Sequence, residues 1–115
     1  MPVLVKRAYD PPAPEDGYRV LVDRLWPRGL SKAQARIDLW LRDGAPSDAL
    51  RKWFAHDPAK WPAFRQRYRA ELRAKKGSLQ RLKQLEQEHR VITLVHAASD
   101  TLRNNAVVLA GQLNR

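Results

Sequence analysis

An acid and two arginines follow an apolar run near the start of the chain, and their chemistry favours recognition of an anion. Residues 20–22 are apolar and lead directly into Asp23 and Arg24, and Arg28 comes four residues later. The planar guanidinium of arginine matches the geometry of phosphate and carboxylate groups. This segment therefore predicts the wall of a site for an anionic ligand. An Asp23–Arg24 ion pair that only holds a loop is the structural alternative.

Polar residues at the ends of two other predicted strands extend this candidate site. Ligands of open α/β sheets bind beyond the carboxyl ends of the strands, which places Arg7 and His96 near Asp23. Asp100 and Asn105 lie in the predicted first turns of the last helix, whose free N–H groups attract anions. Asp23 and His96 are the candidate acid–base groups. A core position for His96 and N-capping by Asp100 are the structural alternatives.

Three strands and several helices are predicted to position these residues. Strands are expected at Val3–Arg7, at residues 19–24 and at residues 91–96, where the apolar run indicates a strand buried on both faces. The prediction is a single small α/β domain over residues 1–115, with a short, mainly parallel sheet flanked by helices. The proline-rich link at residues 10–17 lacks a helical pattern, so the first two strands are parallel, antiparallel or not neighbours.

Capping residues and apolar periodicity set the predicted helices. A helix with one apolar stripe follows Pro58, and Gly77 is its expected end. Ser78 is the expected N-cap of the next helix. The final helix is predicted over residues 101–113, with Leu102 facing inward.

The composition excludes several classes of chemistry. The chain has no cysteine, which excludes disulfides, thiolate catalysis and cysteine zinc sites. Glycine-rich nucleotide motifs and the His-Glu-x-x-His zinc motif are absent, so neither a cofactor nor a metal site is predicted. No apolar run is long enough to cross a bilayer, and the start of the chain lacks the pattern of a signal peptide. We therefore expect a cytoplasmic protein without a membrane partner.

The net charge of +10 raises a second possibility, a nucleic-acid partner. The helix after Pro58 is strongly basic, and without a recognition motif it would contact only the phosphate backbone. Its candidate residues are Lys60, Arg65, Arg69 and Arg73. A third possibility is a non-enzymatic interaction module, which an uncovered patch around Trp40 or Trp53 would favour. The oligomeric state is left open.

A longer segment resembles a known family. Residues 16–30 read DGYRVLVDRLWPRGL and resemble the signature of the YeaO-like branch of the domain-of-unknown-function 488 family. Shorter matches, among them residues 45–47 and 64–72, extend the resemblance over nearly the whole chain. It implies a small single-domain α/β protein of the bacterial or archaeal cytoplasm, in a family whose biochemical role is unsettled. The polar positions that it marks are Arg7, Tyr18, Arg19, Asp23, Arg24, Arg28, Tyr68 and Asn105.

The wider family often carries a Cys-His-Arg run at the start of the last helix. This chain has Arg103, Asn104 and Asn105 there, so thiol chemistry is not expected. Our leading hypothesis is a small anionic, phosphorylated ligand, with an enzymatic reaction left open. Arg7, Arg24 and Arg28 would hold the anion together with the start of the last helix. The hypothesis requires that these groups face one common hollow.

Overall fold

Four parallel strands form one sheet in the computed structural model, which describes residues 3–114. The strands are β1 (Val3–Arg7), β2 (Tyr18–Leu21), β3 (Leu39–Trp40) and β4 (Ile92–His96), in the order β1-β4-β2-β3. The first two strands are parallel but not neighbours, because β4 pairs with both of them. The predicted α/β class with a parallel sheet is therefore confirmed. Residues 1, 2 and 115 of the predicted domain lie outside the described residues.

Five α-helices accompany the sheet. They are α1 (Lys32–Ala35), α2 (Asp48–Phe54), α3 (Trp61–Ala74), α4 (Lys76–His89) and α5 (Asn105–Leu113). The side chains of Ser31 and Ser47 accept hydrogen bonds from backbone N–H groups in the first turns of α1 and α2, respectively. None of the helices within residues 3–114 is both long and apolar enough to cross a membrane.

The two faces of the sheet are covered differently. The larger core packs side chains such as Val20 and Leu94 against α2, α3, α4 and α5. The opposite face buries Leu21 and Val95 under the segment that contains Trp26 and Trp40. Since successive residues of a strand point to opposite faces, this division follows from the alternation along β2 and β4.

The last helix begins later than its apolar pattern predicts. Asn104, not a residue near 101, is the N-cap, and its side chain accepts from the Val107 N–H at 3.0 Å. Asp100 caps the preceding turn instead, accepting from the N–H groups of Leu102 and Arg103 at 3.0 Å. Leu102 is 71% exposed, so its predicted inward position is wrong. Two competing polar side chains explain the shift, because each satisfies the backbone that a longer helix would use.

The break between α3 and α4 also lies away from its predicted place. Helix α3 ends at Ala74, and α4 already begins at Lys76, so Gly77 lies inside α4 and does not end a helix. Ser78 is buried within α4 and is not its N-cap. Lys75 alone separates the two helices, where glycine and serine were expected to do so.

A buried ion pair lies near the amino ends of the strands. The Arg19 guanidinium donates to Asp16 at 2.6 Å and to the carbonyl of Ala35 at 2.9 Å. Lys6 contacts the same carboxylate at 3.1 Å. Burial raises the pKa of Asp16, but the hydrogen bonds from Ala13, Lys6 and Arg19 outweigh it and hold the pKa below its usual value. The pair connects β2 to the end of α1.

Candidate functional site

A hollow at the carboxyl edge of the sheet has a volume of about 670 Å³. We call it the carboxyl-edge hollow. Residues 23–28 after β2, residues 97–99 after β4 and the start of α5 all contribute to it, and α2 provides a further wall. Its polar and charged lining residues are Tyr9, Asp23, Arg24, Arg28, Arg51, Lys52, His56, Ser99, Asn104 and Asn105. This volume lies within the range of small-molecule sites, roughly 300–1,000 Å³.

Asp23 connects the two strand ends and the last helix. Its carboxylate accepts from the Ala97 N–H at 2.8 Å and from the Asn105 amide at 3.2 Å. The same amide donates to the carbonyl of Val22 at 2.8 Å. Burial raises the pKa of Asp23, although these hydrogen bonds and the neighbouring histidine charges oppose the rise. The Asp23–Arg24 ion pair considered above does not form within residues 3–114.

The two arginines of the segment after β2 both line the hollow. Arg24 donates from Nε and Nη2 to the carbonyl of Pro46 at 3.3 Å, which leaves its charge without a carboxylate partner. The Arg28 side chain is exposed and has no hydrogen-bond or ion-pair partner among the described residues. The backbone around it is held, since the Tyr9 hydroxyl donates to the Arg28 carbonyl at 2.8 Å. The segment is thus fixed while the Arg28 charge stays available.

Helix α2 adds basic groups that the sequence analysis did not select. Arg51 and Lys52 line the hollow, and both contact Asp48 one turn earlier, at 2.6 and 3.0 Å. His56 follows the helix with a φ of 58°, in the left-handed region that non-glycine residues seldom adopt. No sequence motif marked these positions, because only the packing of α2 brings them to the strand ends.

Three predicted residues near this edge do not line the hollow. Arg7 donates to the carbonyl of Ala98 at 3.0 Å and lies against the ring of Tyr9. His96 is 1% exposed, and its Nδ1 has no hydrogen-bond partner. Burial lowers the pKa of His96, with the Asp23 charge acting in the opposite direction. Asp100 contacts Arg103 at 3.1 Å and caps the turn before α5.

Three further predicted residues lie away from the carboxyl-edge hollow. Tyr18 stacks on His89 with ring centres 4.0 Å apart, near the amino end of β4. Arg19 belongs to the buried pair with Asp16. Tyr68 is fully buried, and its hydroxyl donates to the carbonyl of Gly44. Burial raises the pKa of this phenol well above its usual value. The ligand-binding role of these residues stays a prediction, and their contacts provide a structural reason for their type.

The basic residues predicted to contact nucleic acid lie on α3 or just before it, and they do not line the hollow. Within residues 3–114, none of them forms an ion pair: Lys60, Arg65, Arg69 and Arg73. Lys60 donates to the Trp53 carbonyl at 2.8 Å, and Arg65 lies 5.6 Å from the Trp61 ring centre. Residues 3–114 also contain no group of three or more acidic, histidine or cysteine side chains that could hold a metal ion.

The sequence model of the inactive DUF488-N3 subclade matches residues 2–115 of this chain. The chain belongs to this DUF488 family. Uncharacterized protein YeaO of Escherichia coli (strain K12) is 41% identical over 113 residues, which cover 98% of this chain and 97% of YeaO. Uncharacterized protein Rv3073c of Mycobacterium tuberculosis (strain H37Rv) is 42% identical over 112 residues, or 97% and 93% of the two chains. No solved structure matches the chain significantly.

Membership of the DUF488 family confirms the resemblance of residues 16–30. Of this segment, Asp23, Arg24 and Arg28 line the carboxyl-edge hollow, whereas Asp16 and Arg19 form the buried ion pair. One contiguous signature therefore contains two structural parts, a wall of the hollow and an ion pair beneath the opposite end of the sheet.

Proposed function

We propose that this DUF488 protein binds a small anionic, phosphorylated ligand in the carboxyl-edge hollow. The observation that carries the proposal is the Arg28 guanidinium, which borders the hollow and has no partner among residues 3–114. A ligand that adds a carboxylate or phosphate oxygen would complete its hydrogen bonding. We also propose that the protein acts in the cytoplasm, because the chain has no cysteine and no apolar run long enough to cross a bilayer.

The charges around Arg28 support an anion rather than a cation. Arg24, Arg51 and Lys52 line the hollow with it, and Asp23 is the single carboxylate in the lining. Asp23 already accepts two hydrogen bonds from the protein, which spreads part of its negative charge. Because Asp48 pairs with Arg51 and Lys52, Arg24 and Arg28 carry most of the unpaired positive charge, and a concave wall strengthens the field of such charges.

Binding without turnover is the simpler form of this proposal. The matched subclade is described as inactive. The two candidate acid–base groups do not meet in the hollow, because His96 is buried behind its lining while Asp23 forms part of it. A reaction at Asp23 stays a prediction, and its raised pKa would suit a proton donor or acceptor.

The direct test is isothermal titration with inorganic phosphate, ribose 5-phosphate and AMP. We expect the double variant Arg24→Ala, Arg28→Ala to lose about 100-fold or more in affinity for whichever phosphate binds best. The reason is that hydrogen bonds to charged groups contribute roughly 1.5–3 kcal/mol each. Both side chains are at least partly exposed, so the variant is expected to fold.

Arg81→Ala is the matched control, because Arg81 is an exposed arginine on α4 and does not line the hollow. It removes one positive charge and should leave the affinity unchanged. Equal binding by the wild type and the double variant would overturn the proposal. Failure of all three phosphates to bind the wild type would overturn it as well.

The unpaired basic face of α3 favours nucleic acid as a second candidate partner. With four phosphate contacts, the affinity for single-stranded DNA or RNA should fall by roughly the third power of the salt concentration. Fluorescence anisotropy with a labelled 20-mer measures this slope. We expect Arg69→Gln, Arg73→Gln to reduce it and Arg24→Ala, Arg28→Ala to leave it unchanged. Undetectable or salt-independent binding would exclude this partner.

The third hypothesis, an interaction module, required an uncovered patch at Trp40 or Trp53. Both rings are half-buried, and the guanidinium groups of Arg42 and Arg67 lie 4.0 Å from their respective ring centres. The structure therefore does not provide this patch at either tryptophan.

A further inference from the structure

The carboxyl-edge hollow combines its basic groups with an apolar wall. Phe54 and Phe64 border the hollow from the core, where they are only 5% and 2% exposed, and Pro46 is buried beside them. The half-buried Trp26 and Leu25, which is 59% exposed, therefore provide most of the apolar surface that a ligand can reach. A bare inorganic anion would leave this wall in contact with water. The wall instead suits a ligand with a flat apolar part.

The hollow also contains two side chains that can accept hydrogen bonds, Asp23 and Asn105. Both amide hydrogens of Asn105 are used, by the Val22 carbonyl and by Asp23. The Asn105 oxygen and the remaining lone pairs of the Asp23 carboxylate are therefore left to accept hydrogen bonds from a ligand. Both are acceptors, so they require an N–H or O–H donor on the bound molecule.

We propose that the ligand is a phosphate monoester of a flat aromatic group that also carries a hydrogen-bond donor. This inference rests on the proposed anion site and specifies its ligand class. The phosphate would contact Arg24 and Arg28, the ring would lie on the apolar wall, and the donor would reach Asp23 and Asn105. A nucleoside monophosphate has all three features.

Isothermal titration with four probes tests the three features separately. Inorganic phosphate has only the charge. Ribose 5-phosphate adds a sugar with hydroxyl groups, phenyl phosphate adds an aromatic ring, and AMP has both a sugar and an aromatic ring with N–H donors. We expect AMP to bind about tenfold or more tightly than phenyl phosphate, and phenyl phosphate about tenfold more tightly than inorganic phosphate. Ribose 5-phosphate has hydroxyl donors but no aromatic ring, so it should bind more tightly than inorganic phosphate and more weakly than AMP.

A substitution in the apolar wall tests where the aromatic ring of the ligand lies. Leu25→Ser should weaken AMP binding about three- to tenfold, and it should weaken AMP binding more than inorganic phosphate binding. Leu102→Ser is the matched control, because Leu102 is 71% exposed and does not line the hollow. Both leucines are exposed, so neither variant is expected to disturb folding.

The outcomes separate this inference from the anion site itself. If inorganic phosphate and ribose 5-phosphate bind as tightly as AMP, the aromatic ligand class is wrong while the anion site stands. If AMP binds best but Leu25→Ser leaves its affinity unchanged, the placement of the ring is wrong. If no probe binds, both proposals fail.

Discussion

We expect Asp16→Ala to lower the free energy of unfolding by about 3–5 kcal/mol, which is the cost of breaking a buried ion pair by removing one partner. The Arg19 side chain is only 4% exposed, and the variant would leave its guanidinium buried with the Ala35 carbonyl as its remaining partner. Lys6 would lose its contact with the same carboxylate. Since small domains are stable by about 5–15 kcal/mol in total, this loss would be severe.

Urea denaturation followed by tryptophan fluorescence measures this effect. Asp48→Ala is the control, because Asp48 also contacts two basic residues but lies at the exposed surface, where ion pairs contribute little. It should hardly change the urea midpoint. The double variant Asp16→Ala, Arg19→Met should recover part of the lost stability, because it removes the unpaired charge. An unchanged midpoint for Asp16→Ala would show that the pair does not stabilise the fold.

Gly17→Ala is the second variant with a large expected loss, roughly 2–5 kcal/mol. Gly17 has a φ of 63° and a ψ of −133°, a conformation that is essentially confined to glycine. A Cβ atom there would lie 2.3 Å from the carbonyl oxygen of Val91, which is backbone and cannot turn away. Strain and overlap each cost about 1–3 kcal/mol.

Thermal unfolding followed by circular dichroism compares this variant with Gly111→Ala. Gly111 lies within α5, and a Cβ atom there would meet no neighbour within 4 Å. Alanine in a helix interior is favoured over glycine by roughly 0.5–1 kcal/mol, so this control should melt at a higher temperature than the wild type. A melting temperature of Gly17→Ala equal to that of the wild type would contradict the close approach of Gly17 to Val91.

Three of the four strands were predictable because their residues carry local signals, but the two-residue β3 was not predicted, and β2 ends at Leu21 and not at residue 24 as expected. Val3–Arg7 is a strand as predicted, and the apolar run after residue 91 became β4. The helix ends were less predictable, since Asn104 and Asp100 compete for the same backbone N–H groups and three-dimensional packing selects between them. The position of β4 between the first two strands has no local signal at all, because it depends on residues far apart in the sequence.

The candidate site was predictable in part for the same reason. Arg24 and Arg28 stand out beside an apolar strand, and both line the hollow. The type of residue alone could not separate Arg19, which is paired inside the protein, from these two arginines. Arg51 and Lys52 look like ordinary helix-surface residues, and only the packing of α2 brings them to the carboxyl-edge hollow.

The strand order also constrains how the chain is assembled during synthesis. Strand β4 lies between β1 and β2, yet it is the last strand to leave the ribosome. Until residue 96 has emerged, β1 has no neighbour to pair with, and β2 can pair only with the two-residue β3. The edges of β1 and β2 that pair with β4 therefore stay open to pairing with other chains until β4 has been synthesised.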